Sequence, residues 1–307
     1  MLGYALRRIA ALAPTLLIIV TLSFLVIRLA PGGPFDAEQG LPPQIRANLE
    51  AAYGLDAPLP LQYVRYIGGL LQGDFGPSFK FRDVQVGQLI AQGLPLSLTL
   101  GACAVLLALA IGVPLGALAA LRQNSPVDHG VRLLAVLGIA LPGFVAGPAL
   151  ALFFGLYLQW LPVAGWVRGD PRYLVLPVLT LAIPVSAYVA RLTRGSLLEV
   201  LQTNYVRAAR ARGIGEWRVL WRHALRPAML PVVSYLGPAT AFIVTGSLVV
   251  ETVFGLPGSG RYLVEGAVNR DYTLVMGMIV VYGTLTLLCN LLADLLYAWL
   301  DPRVRYE

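Results

Sequence analysis

Charge is scarce in this chain. Only 13% of its 307 residues are Asp, Glu, Lys or Arg, while 57% are hydrophobic. Soluble domains carry about a quarter charged residues, so an ordinary water-exposed fold is excluded. Cysteine and histidine are scarcer still, with two of each. Cys103 and Cys289 fall inside apolar blocks and read as small buried hydrophobes, not as disulfide partners. His129 and His223 lie far apart on polar stretches, and nothing else points to a metal site, so none is expected. No Ser-His-Asp set, paired carboxylates or Cys/His cluster is visible, so no catalytic residues are assigned. The glycine-rich Gly255-Leu256-Pro257-Gly258-Ser259-Gly260 lacks the Gly-Lys-Ser/Thr ending of a phosphate loop and reads as a tight capping or re-entrant turn. Internal repeats and low-complexity tracts are also missing.

What the chain does have is apolar blocks long enough to cross a bilayer. The first, Ile9 to Ile27, follows Arg7 and Arg8. It exceeds the roughly 7–15 residues of a signal-peptide core and is read as a retained span. Residues 31–93 are polar, rich in Pro and Gly, and more acidic than basic, which fits an extracytoplasmic insert. Within it 43–53, 59–71 and 83–92 pattern as short amphipathic helices, the last with Asp83 as N-cap. Further spans are expected over 94–121, 133–160, 173–190, 228–250 and 272–293. Pro142 and Pro148 should bend the third span. Residues 122–132 and 251–271 read as an inner and an outer loop. Asp294 stands near the end of the last span, where solvation at the headgroups competes with a proton-relay reading.

Six spans put both termini in the cytoplasm, and arginines gather on that side, as the positive-inside rule requires. The formal charge of +7 is thereby explained without nucleic acid. The expected organisation is a first transmembrane helix (1–30), the insert (31–93), a membrane core (94–298) and a short cytoplasmic tail (299–307).

One segment, 204–231, is both basic and amphipathic. Arg207, Arg210, Arg212, Arg218, Arg222 and Arg226 are opposed only by Glu216. Gly213-Ile214-Gly215 divides it into two short helices. In the second, Arg218, Arg222 and Arg226 recur every fourth residue as one stripe, and Trp217, Leu220, Trp221 and Ala224 lie on another face. Such a segment suits docking to a protein, or rests on anionic lipid with its arginines at the headgroups.

With these residues in view, the chain resembles the permease subunits of ATP-binding-cassette (ABC) importers, in the branch that takes up dipeptides, oligopeptides and nickel, and within it the oligopeptide permeases. The resemblance rests on Tyr205-Val206-Arg207-Ala208-Ala209-Arg210-Ala211-Arg212-Gly213, on His223-Ala224-Leu225-Arg226-Pro227-Ala228, and on Leu230-Pro231. Gly73-Asp74-Phe75-Gly76, Trp160-Leu161-Pro162, Glu251-Thr252-Val253-Phe254-Gly255, Asn269-Arg270-Asp271-Tyr272 and Leu300-Asp301-Pro302-Arg303 extend it over almost the whole chain. The wider importer signature has Glu where this chain has Arg207, and its Leu-Pro falls earlier. The resemblance implies an all-α, six-span type I importer permease fold in the bacterial cytoplasmic membrane. It implies a homologous C-type permease subunit, two ATPase subunits carrying ATP and Mg, and an extracytoplasmic binding protein as partners. No cofactor would be held by this chain. The ATPase-coupling residues would be Arg207, Ala208, Ala209, Arg210, Arg212, Gly213, Glu216, Trp217 and Arg218. The substrate-lining residues are left unassigned. An ion-driven secondary transporter would be expected to show charges deep in several spans and repeat symmetry, neither of which is visible.

Overall fold

The computed structural model describes residues 2–29, 33, 43–52, 54–81 and 83–300. Most of 30–42 in the expected insert and all of 301–307 in the expected tail lie outside the described residues. The described chain is helical, with one isolated bridge between Pro77 and Gln85. In order, the helices are α1 (Leu2–Leu29), α2 (Pro43–Ala52), α3 (Leu59–Leu71), α4 (Val86–Leu121), α5 (Pro126–Ala140), α6 (Gly143–Leu150, continued by a π-helical stretch Ala151–Tyr157), α7 (Arg172–Leu201), α8 (Asn204–Ala211), α9 (Glu216–Val219, continued by a π-helical turn Leu220–Ala224), α10 (Leu225–Ala228), α11 (Leu230–Val253), α12 (Ser259–Val268) and α13 (Tyr272–Leu300). Five helices are long and apolar enough to span a bilayer, and six spans result if the bent pair α5–α6 counts as one.

Several boundaries differ from the sequence reading. The short helix expected over 83–92 is the beginning of the 36-residue α4, not a separate element. Asp83 does not cap it, because its backbone is left-handed at φ 58°. The Gln88 side chain instead accepts from the Gln85 N–H at 3.3 Å. The third span breaks by 106° between α5 and α6. Leu141 is extended (φ −77°, ψ 114°), as a residue before proline should be, and Pro142 then starts the next helix. The inner loop is shorter than expected, since α5 starts at Pro126. Ser125 is its N-cap, accepting from the Asp128 N–H at 3.3 Å, while Asp128 accepts from the Asn124 N–H at 2.9 Å. The fourth span does not end near Ala190 but continues as α7 to Leu201. The outer loop over 251–271 contains α12.

The chain forms two compact units. The first comprises Leu98–Leu256, the residues through Ala11, and those from Leu285 onward. Its centre is α7, packed on α5, α6 and α11. Gly112 and Gly116 of α4 lie against the α7 backbone. A Cβ at Gly112 would come within 2.6 Å of the Ser186 carbonyl, and one at Gly116 would strike the Ala190 carbonyl. Small residues four apart permit this approach in a bilayer, where helix association depends on packing. On the other side of α7, Gly138 of α5 meets Ala187. Asp128, fully buried, receives Arg194 Nε at 2.5 Å and a second guanidinium nitrogen at 2.7 Å. Asp294, read above as solvated at the headgroups with a proton relay as the alternative, pairs with Arg8 at 3.1 Å.

The second unit comprises Leu12–Ser97 and Pro257–Thr284. Its core packs Val86, Leu89 and Ile90 on Leu274 and Met278. Phe24 of α1 meets Tyr63 of α3 edge-on, and the Tyr63 hydroxyl lies 2.6 Å from Thr21 Oγ1. Asp271 is fully buried ahead of α13. It accepts from Ser78 Oγ, from the N–H groups of Phe79, Lys80 and Leu274 at 3.1–3.2 Å, and from Thr273 Oγ1 at 3.0 Å. One carboxylate thus caps a helix and fixes the turn that precedes α4. Ser259 opens α12 with its N–H and hydroxyl both donating to Ser97 Oγ at 2.9 Å.

Two outcomes follow for stability. Asp271→Ala leaves several buried donors without an acceptor and should cost about 3 kcal/mol. Thermal unfolding in detergent, with proteolysis around residues 77–81, reads this. Gly116→Leu should lower the unfolding temperature more than Gly130→Leu, because a Cβ at Gly130 meets nothing within 4 Å. Equal losses would place the α4–α7 contact elsewhere.

Candidate coupling site

The basic segment is built from local turn chemistry. Thr203 is extended (φ −70°, ψ 151°) and ends the run of α7, its hydroxyl donating to the Val200 carbonyl at 2.6 Å. α8 then ends at Arg212. The Gly213 N–H donates to the Arg210 carbonyl at 2.9 Å and the Ile214 N–H to the Ala209 carbonyl at 3.3 Å. Those two bonds, with Gly213 at φ 76°, form a Schellman cap. Ile214 completes it by packing on Val206, Ala209 and Val219, a small cluster that joins α8 to α9. A Cβ at Gly213 would meet nothing within 4 Å, so backbone conformation and not crowding within this chain calls for glycine there.

Gly215 starts α9, and Glu216 reaches back across the turn to Arg210, with bonds of 2.8 and 3.0 Å. Both side chains are solvent-accessible, so the pair sets geometry and adds little stability. Past Val219 the helix slips into a π turn, and Pro227 lies just beyond. Pro227 has no N–H for the His223 carbonyl, which favours such a change in hydrogen-bond register.

Residues that the sequence placed on one face are divided in the structure. Leu220 and Ala224 are buried with Ala117, Ala120, Leu197 and Ala228. Trp217 and Trp221 are 71% and 55% exposed and meet each other edge-on at 5.5 Å. The aromatic pair therefore sits outside the apolar seam. Of the coupling residues expected from sequence, Arg207, Ala208, Arg210, Arg212, Gly213, Glu216, Trp217 and Arg218 are exposed, while Ala209 is buried as part of the cap cluster. Arg222 and Arg226 are exposed as well, and the Arg226 guanidinium lies 6.0 Å from the Trp299 ring centre. The structure thus presents basic and aromatic groups outward from a small framework whose own apolar residues are already satisfied.

Elsewhere, Gly255 caps α11 in the same way, at φ 64°, with the Leu256 N–H donating to the Glu251 carbonyl at 2.8 Å. Glu251 and Leu256 are both fully buried. Among the described residues no group of three or more His, Cys, Asp or Glu could hold a metal. The Asp128–Arg194 pair escaped the sequence reading because its partners are 66 residues apart. Ser125-Pro126-x-Asp128 was the local signal for the helix start, but nothing local indicates the ion pair.

A helical, multi-spanning chain with an exposed basic element strung between two apolar helices has the architecture of a transport permease. Residues 112–306 match the family described as "Binding-protein-dependent transport system inner membrane component", and residues 1–101 match the N-terminal component of such proteins. The chain belongs to this family, the permeases of ABC importers. It is 49% identical over 306 residues to the oligopeptide transport system permease protein OppB of Haemophilus influenzae, covering 100% of both chains. It is 48% identical to that of Escherichia coli with the same coverage, and 41% identical to the dipeptide transport system permease protein DppB of Bacillus subtilis, covering 99% of this chain and 98% of that one. Among solved structures, it shares the fold of a chain of the inward-facing MetNI methionine ABC transporter, with a TM-score of 0.61 at 17% identity, over 70% of this chain and 97% of that one.

The cap makes a graded prediction. Gly213→Ala should loosen the α8–α9 turn by about 1 kcal/mol, Gly213→Asn by less because Asn tolerates the left-handed region, and Gly213→Val by more. Hydrogen exchange at the Ile214 amide should follow that order.

Proposed function

We propose that this chain takes up oligopeptides, pairing with a homologous C-type permease subunit to form the pathway. The names of its full-length relatives support the cargo class, and dipeptides, nickel chelates or other small cargo are the alternatives within the same machinery. Two ATPase subunits would bind ATP and Mg and do the hydrolysis, leaving this chain non-catalytic. An extracytoplasmic binding protein would deliver the peptide. Both termini and the segment 204–231 would face the cytoplasm, on the side where the arginines gather.

The observation that carries the coupling role is the outward face of that segment. Arg207, Arg210, Arg212, Arg218 and Trp217 are exposed on short helices whose ends run into α7 and α11. Arginines pair well with carboxylates, and an exposed tryptophan pair offers apolar area, the combination that a groove on an acidic-rimmed partner would bury. Closure of two ATPases would push on this element and tilt the helices on either side, alternating access to the pathway.

Arg207→Glu with Trp217→Ala should reduce ATP-driven peptide uptake in proteoliposomes at least about tenfold while the membrane helices stay folded. ATPase activity would become independent of peptide-loaded binding protein. Uptake at the wild-type rate would refute the coupling assignment, whereas tight coupling to a non-peptide cargo would refute only the cargo.

A further inference from the structure

Two arginines on the facing stretches of α5 and α7, Arg132 and Arg191, are not used by the coupling element. Between those helices lies a cleft of about 180 Å³. Arg132, Arg191 and Arg194 line it together with Ala135, Val136 and Ile139. Arg194 is taken up by the buried Asp128, through both of that carboxylate's oxygens. Among the described residues, neither Arg132 nor Arg191 makes an ion pair, and both are exposed. Once Asp128 and Arg194 cancel, the cleft keeps two unmatched positive charges.

The cleft also has a direction. α5 and α7 run antiparallel, since Asp128 meets Arg194 at one end and Gly138 meets Ala187 further along. On α5, Arg132, Ala135, Val136 and Ile139 follow one another at helical spacing, so the groove passes from guanidinium to purely apolar walls within two turns. The flank beside it is apolar and outward-facing, with Leu133, Leu134 and Val136 all exposed. A soluble anion would match the charged end and gain nothing from the rest.

We propose that this cleft is a binding site for an anionic glycerophospholipid. The phosphodiester accepts hydrogen bonds from Arg132 and Arg191, and the first part of an acyl chain lies along Ala135, Val136 and Ile139. Guanidinium groups suit this role because they bind phosphate oxygens in pairs and tolerate partial desolvation. Basic pockets between helices at a membrane boundary are the setting in which a lipid headgroup outcompetes bulk counterions. The site goes beyond the transport reading and rests on it only for the membrane setting. Because α7 leads directly into α8, a lipid held here braces the helix from which the coupling element hangs.

The test is native mass spectrometry of the full chain, purified with the subunits that accompany it, after incubation with phosphatidylglycerol or with phosphatidylcholine of the same acyl chains. The expected result is selective retention of phosphatidylglycerol. Arg132→Ala with Arg191→Ala should weaken that retention about tenfold, and Arg132→Lys with Arg191→Lys should restore most of it. Unfolding temperature, read in parallel, separates loss of the site from loss of the fold, and each single Ala variant gives an intermediate value if the double variant unfolds. Millimolar glycerol phosphate should not compete; full competition would make this a soluble-phosphate site and overturn the lipid proposal. Equal retention of the two lipids, or unchanged retention in the Ala variants, would overturn it too. So would an Ile139→Cys cross-link to the second permease subunit in high yield, since a protein would then fill the groove. None of these outcomes depends on which cargo is carried, so a failed cargo assignment leaves this result readable.

Discussion

A peptide group inside a bilayer has no water to bond to, so nearly every carbonyl and N–H must be satisfied along its own helix. That constraint fixes most of this structure and makes the exceptions informative. Among the described residues, regular α-helical geometry gives way at Leu141-Pro142 and at the π-helical stretch Ala151–Tyr157, and, between α8 and α11, at the π turn Leu220–Ala224. Prolines account for two of them. Pro142 pushes Leu141 out of the helical region, and Pro227 removes the donor that His223 would need. Pro148 lies on the N-terminal side of the stretch Ala151–Tyr157. Proline in these helices does more than bend them, because it changes which residues share a face.

The candidate coupling site shows what that change does. Leu220 and Ala224 reach the cluster with Ala117 and Leu197, while Trp217 and Trp221 stay outside it. The element therefore needs no partner to fold its own core, yet has a face rich in the groups that protein interfaces use most. Its rigidity comes from a glycine cap, a small cluster of Val206, Ala209, Ile214 and Val219, and the Arg210–Glu216 pair. None is strong alone. Together they hold two short helices in one arrangement.

Much of this was legible in the sequence. Long apolar blocks gave the spans, α3 was read at its true limits, and Gly213 and Gly255 were recognisable as turn residues from their neighbours. The start of α4 was misread because its polar beginning looks like a surface helix. Only the contact of Val86, Leu89 and Ile90 with Leu274 and Met278 shows why the helix does not stop. α12 was missed because its short pattern lies among glycines and charges. The Asp128–Arg194 pair was invisible because each residue, taken alone, is an ordinary charge near a helix end. Hydrophobic periodicity grouped the tryptophans with Leu220 and Ala224, and only the packing of those two on Ala117 and Leu197 shows that the tryptophans stay outside.

The crossing at Gly112 and Gly116 has a mechanical meaning. Helices that meet through long side chains can slide or rock while rotamers adjust, so motion in one is partly absorbed before it reaches the other. Here bare backbone of α4 rests on the Ser186 and Ala190 carbonyls and on the short, β-branched Val189 and Thr193 of α7, with no long side chain between them. A tilt imposed on α7 from its far end must therefore carry that stretch of α4 with it, like two rods welded along a short seam.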